Sequence, residues 1–93
     1  MERIRAVQLT HELLDLHGLT DYKVRIDPKA SNYGAIHYEF PYKLIVLNGL
    51  YVDVHGEEEV KHTILHEIAH GLVGNKEGHN QVWAAKAREI GTH

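Results

Sequence analysis

Residues 66 to 70 read His-Glu-Ile-Ala-His. On a helix, positions i and i+4 lie one turn apart on the same face, so His66 and His70 can each turn a ring nitrogen toward one ion. Glu67 follows His66 and precedes His70 by three, so it flanks that face. Its carboxylate can reach a water beside the ion without ligating the ion itself. Two imidazoles and a free carboxylate are the parts that metal-assisted peptide hydrolysis needs. A plainer reading is a helix whose histidines are exposed or satisfied by neighbours. Against it stand the apolar stripe on the adjacent face and the glycine at 74 where the helix would end.

A catalytic zinc site takes three protein ligands and leaves one position open. A third histidine in the metzincin pattern would need glycine at 73 and histidine at 76, and the chain has Val73 and Lys76. Glu89 on the last helix is one candidate. His79 is the other and is preferred on ligand type. The loop before it, with Gly74 and Gly78 at its ends, can also turn the chain back over the ion.

These residues need a scaffold. Glu57 to Val73 is the strongest helix pattern: Val60, Ile64, Leu65, Ile68 and Leu72 form a stripe, and Glu57, Glu58 and Glu59 sit at the positive end of the dipole. A last helix runs from about Gln81 to Ile90, with Asn80 as N-cap, Trp83, Ala87 and Ile90 on one face, and Gly91 after it. A first helix spans roughly Arg3 to His17. Its stripe is read as Ile4, Val7, His11 and Leu14, widened by Leu9, Leu13 and Leu16, with Gly18 as cap.

Between the helices, Lys23 to Asp27 alternates like a strand. Ala35 to Phe40 reads as a second strand, Pro41-Tyr42 as a turn, and Lys43 to Asn48 as a third strand buried on both faces. Leu50 to Val54 fits a short strand, a turn of helix or a wall. The expected architecture is α+β and zincin-like: a helix, a small meander of three strands (four if Leu50 to Val54 pairs), the histidine helix and a C-terminal helix.

Length and composition agree with one domain over residues 1 to 93. Cysteine is absent, which leaves a bound metal as one remaining staple for so small a core. A formal net charge of −3 argues against a broad basic surface for nucleic acid. The N-terminal residues lack an apolar signal core and no run could span a bilayer, so a cytoplasmic location and no membrane partner are expected. Nine of the 93 residues are histidine, dispersed rather than in a tag-like block, so single ones need explaining.

Several segments together resemble the SprT-like metallopeptidases, relatives of the Spartan proteases. His17-Gly18-Leu19 with Tyr22 to Asp27 resembles the family's first helix exit and first strand. Lys43 to Leu47 resembles the strand before its active helix. Ile64 to Leu72 is similar to the core motif, and Gly78-His79-Asn80, Trp83 and Ala87 to Gly91 to the segment of the third ligand. The resemblance implies one zinc ion held by His66, His70 and His79, with Glu67 catalytic. It also implies protein or peptide substrates, including proteins associated with DNA. Many members carry a cysteine-rich C-terminal tail; this sequence has no cysteine and reads as a minimal form, so any DNA association is expected to be indirect.

The expected mechanism has the ion hold and acidify a water while Glu67 takes its proton and passes it to the leaving amine. Tyr33, Tyr38, Tyr51 and His37 are candidates for a further oxyanion donor by residue type. An edge strand could hold the substrate as an added strand. Trp83 reads as a core anchor whose Nε1–H wants a partner. His62, one turn before His66, reads as solvated, and Lys76, Lys86 and Arg88 as a solvated cluster rather than a phosphate site. His11, His17, His37, His55 and His93 carry no spacing signal. Two other readings compete: a non-catalytic metal-stabilised adaptor, and a histidine-rich metal buffer that would take more than one ion.

Overall fold

Four consecutive apolar residues, Leu44 to Leu47, are all buried, and this run decides the sheet. A strand with both faces covered belongs at the centre. In the computed structural model, which describes residues 1–29, 32–38, 43–74 and 78–92, the strands are β1 (Lys23–Asp27), β2 (Gly34–His37) and β3 (Leu44–Asn48). The sheet order is β1-β3-β2, with β1 parallel and β2 antiparallel to β3. The expected meander is therefore corrected. Chain neighbours β1 and β2 lie on opposite edges, because the most apolar strand takes the middle. The end of the second strand at Glu39-Phe40 and the turn at Pro41-Tyr42 lie outside the described residues, as do Lys76 and His93.

The helices are α1 (Arg3–Leu16), α2 (Gly49–Val54), α3 (Glu57–Val73) and α4 (Gln81–Ile90). The segment Leu50 to Val54 is thus helical rather than a fourth strand. Asn48 caps it, its side chain accepting from the Tyr51 amide at 3.0 Å. Among the described residues no helix is long and apolar enough to cross a membrane.

The core is shared by α1, the sheet and α3. From α3 come Val60, Ile64, Leu65 and Ile68, packed against Ile45, Leu47, Val52 and Leu14. Helix α1 is rotated from the expected stripe: Ala6, Leu9, Thr10, Leu13 and Leu14 are buried, whereas Ile4 is 72% exposed and His11 is exposed. A leucine-rich helix with apolar residues on most sides does not announce its inner face. Thr10 is tolerated inside because its hydroxyl donates to the Ala6 carbonyl at 2.7 Å. Past Leu16 the chain reverses at Gly18 (φ 78°), and the Leu19 amide returns to the Leu14 carbonyl at 2.8 Å. That closure brings Leu19 onto the core.

A smaller cluster of Ala69, Trp83 and Ala87 joins α3 to α4. Asn80 starts α4 by accepting from the Trp83 amide at 3.0 Å, and Gly91 (φ 101°) ends it in the left-handed region. The core thus fixes the rotation of α3, and α4 is fastened to the face of α3 that the core leaves free.

Candidate metal centre

On that free face the three imidazoles meet. The Nε2 atom of His79 lies 2.9 Å from that of His66 and 3.1 Å from that of His70. One ligand atom from each of the three falls within 4.8 Å of the others. A tetrahedral zinc with Zn–N bonds of 2.0–2.1 Å holds its nitrogens about 3.3–3.4 Å apart, so small ring shifts would fit the ion. Burial, followed by the charges of His70 and His79, pushes the His66 imidazole down to about 4. At neutral pH it is therefore uncharged, the form a metal requires. An all-imidazole set supports zinc as the ion. Among the described residues this is the one such group of three.

Glu89, the rival third ligand, points elsewhere. Its carboxylate accepts from Lys86 Nζ at 2.9 Å, and its side chain is 66% exposed. That pairing also removes Lys86 from a free basic cluster. His62 lines the cleft, with its Nδ1 3.1 Å from the Thr92 hydroxyl.

Glu67 is 7% exposed, which is rare for a carboxyl group. Burial raises its pKa to about 7. Its Oε2 is 4.0 Å from His66 Nε2, beside the imidazole cluster rather than within it. The close approach of β2 helps bury it. A Cβ at Gly34 would lie 2.9 Å from Thr63 Cγ2, 3.4 Å from Glu67 Cγ and 3.6 Å from Glu67 Oε2. Glycine is what lets the strand come this close.

Trp83 has a part that the sequence did not reveal. Its indole lies 4.7, 5.3 and 4.8 Å from the rings of His66, His70 and His79, and its Nε1–H donates to the His66 carbonyl at 3.4 Å. The core anchor is thus also the plate against which all three imidazoles rest. The hints in the sequence are the spacing of Trp83 from the Asn80 cap and its place in the segment that resembles the family's third-ligand segment.

The centre opens into a cleft of about 860 Å³, with α3 as its floor and β2 as one wall. Tyr38, just past β2, lines it. Burial, then the nearby Glu67 and Tyr22, pushes the Tyr38 phenol up to about 12. It keeps its proton across the working range. The Tyr33 carbonyl accepts from the Asn48 amide at 2.9 Å. In the β2–β3 register, bonded pairs then fall at Tyr33, Ala35 and His37. The N–H and C=O groups of Gly34 and Ile36 face away from β3, along an edge that no described strand covers.

Two outcomes follow from this geometry. Metal quantification should find one zinc per chain in the wild type and in Glu89→Ala, and a loss in His79→Ala; the reverse pattern would make Glu89 the ligand. The second concerns the metal-stripped protein. A carboxyl whose folded pKa lies above its unfolded 4.5 leaves stability untouched below that pH, erodes it as pH rises to about 7, and holds it reduced beyond. Glu67→Gln should therefore melt higher than wild type at pH 8, by up to about 3 kcal/mol of stability, and melt alike at pH 4. A wild type more stable than the variant at pH 8 would mean that the carboxylate is held charged.

The fold is similar to that of the metallopeptidase zymogen jannalysin of Methanocaldococcus jannaschii, with a TM-score of 0.73 and 22% identity over 96% of this chain and 82% of that one. It is also similar to the metallopeptidase zymogen abylysin of Pyrococcus abyssi, with a TM-score of 0.66 and 25% identity over 91% of this chain and 87% of that one. No match is found among curated proteins. The model of the SprT-like family matches residues 5–93, and with it the chain belongs to the SprT-like family.

Proposed function

We propose that this protein is a zinc-dependent endopeptidase in which His66, His70 and His79 hold the ion and Glu67 moves the proton. The observation that carries the reading is a buried carboxyl beside three converging imidazoles, open to a cleft along a sheet edge. Family membership and the metallopeptidase neighbours support a metalloprotease-like role. A purely structural metal site has no use for a buried acid at its margin, and this speaks against an adaptor.

Zinc supplies Lewis acidity, lowering the pKa of water toward about 7 and polarising a carbonyl. Glu67, buried beside the imidazoles, accepts the proton of the attacking water and returns it to the leaving amine. Tyr38, neutral across the working range and lining the same cleft, donates its hydroxyl to the oxyanion that develops on the carbonyl. Of the other candidates, Tyr51 has its hydroxyl engaged with Thr63 and the Glu59 carbonyl. His37 faces a second, smaller groove with Arg25 and Lys29.

Substrate lies against β2 as an added strand, bonded to the outward groups of Gly34 and Ile36. Such pairing reads backbone, so it favours extended or unfolded segments. DNA-associated proteins as targets rest on the family likeness alone.

With zinc bound, Glu67→Gln should retain the ion and lose hydrolysis of an unfolded protein such as casein by at least about 10³-fold. Activity equal to wild type would sink the reading. Tyr38→Phe should bind peptide comparably and lower kcat by about 10²-fold. A change confined to KM would assign Tyr38 to binding instead.

A further inference from the structure

The cleft continues past Glu67 onto an aromatic surface that the catalytic reading does not use. Tyr33 lies just before β2, lines the cleft, and is 64% exposed. Its ring nevertheless has a fixed place. It stacks on Tyr51 with centroids 4.2 Å apart and planes 21° from parallel, and Tyr51 in turn stacks on His55 at 4.0 Å and 26°. The support is itself tied down. The Tyr51 hydroxyl accepts from Thr63 Oγ1 and donates to the Glu59 carbonyl, both at 3.3 Å, and His55 Nδ1 lies 2.9 Å from the Tyr51 carbonyl.

Resting on the endopeptidase reading for its occupant, we propose that Tyr33 is a specificity-determining residue that selects an aromatic side chain of the substrate, one or two residues to the C-terminal side of the cleaved bond. An exposed aromatic ring that is already ordered loses little entropy when a ligand lands on it. A flat face favours another flat face, in offset or edge-on geometry.

The position follows from the strand. On β2, Gly34 lies against the Glu67 side chain, where an added Cβ would stand 3.6 Å from Oε2, and Tyr33 is the next residue back toward the N-terminus. An antiparallel partner, the stronger pairing, runs the other way. Its residues opposite Tyr33 therefore follow, in its own sequence, those that face Glu67. A nucleobase would offer the same flat face but arrives with a phosphate, and among the described residues no lysine or arginine lines this cleft.

The test uses the zinc-loaded Glu67→Gln protein, which holds peptides without turning them over. Fluorescein-labelled octapeptides of Gly, Ser and Ala carry one Phe, moved through successive positions, and binding is read by anisotropy. One position should bind about five-fold tighter with Phe than with Ala. Adding Tyr33→Ala should bring that ratio near one; Tyr33→Phe should preserve it, and Tyr33→Leu should lower it. A ratio taken within one variant does not depend on the fraction folded, so a purely structural role for Tyr33 would leave it unchanged.

Wild-type enzyme should then cut the preferred peptide one or two residues before the Phe. The proposal is overturned if no peptide binds, if no position prefers Phe, if the preference survives Tyr33→Ala, or if an oligothymidylate binds more tightly than every peptide and needs Tyr33 to do so. Aromatic preference that depends on Tyr33, without cleavage by the wild type, supports the subsite and sinks the peptidase reading.

Discussion

The rotation of one helix about its axis is the constraint on which the whole site depends. In α3, side chains follow one another at about 100°. Once Val60, Ile64 and Ile68 are driven into the core, His66 and His70 have no choice of direction. They emerge together on the opposite side, and Glu67 falls at the margin between core and cleft. A core that gripped α3 less firmly would let the imidazoles swing by several ångströms. The hydrophobic packing therefore does the orienting that ligand geometry requires, and the third imidazole has only to be delivered to a fixed place. Helix α4 delivers it through its N-cap: Asn80 fixes the first turn, Trp83 is seated by that turn, and His79 immediately precedes the cap.

What the sequence made legible is what depends on short-range spacing. The two histidines of α3, the glutamate between them, the caps of α4 and the glycine exit of α1 all lie within a turn or two of the features that define them. The strand order was not legible, because it depends on which strand is buried twice. The run Leu44 to Leu47 did carry that information, yet neighbours in sequence suggested a meander. The inner face of α1 was misread for a related reason: with leucines around most of the helix, only the partner surface decides which are buried, and Ile4 and Leu16 stay outside. Trp83 was half legible, as an anchor but not as the plate under three imidazoles. The stack of Tyr33, Tyr51 and His55 was invisible, since its members come from a loop before β2, from α2 and from the residue that closes α2.

The electrostatics of the cleft set function against stability. A domain of this length has roughly 5–14 kcal/mol of folding free energy to lose, and placing the Glu67 carboxyl where water is scarce takes a sizeable share of it above neutral pH. The same burial brings its pKa up to about 7 in the metal-free protein. His66 shows the complementary bias, driven down to about 4, so that its nitrogen is free at the pH where Glu67 is half ionised. Burial thus pushes an acid and a base in opposite directions, each toward the uncharged form. A cation in the centre would act against that shared bias by favouring the carboxylate, so occupancy of the site and ionisation of Glu67 are linked.

Gly34 connects these threads. Its missing side chain lets β2 lie against Thr63 and Glu67, and that contact helps keep water from the carboxyl. The same residue turns its N–H and C=O outward along the free edge, where an added strand would bond. A larger residue here would meet Thr63 Cγ2 at 2.9 Å, so either that side chain or the strand would have to shift. In the proposed strand-addition mode, the approach of β2 to α3 bears on both the Glu67 carboxyl and the register of the substrate. A strand has its register fixed by β3 over its whole length, so in the proposed function it would hold a peptide and shield a carboxyl with the same few atoms.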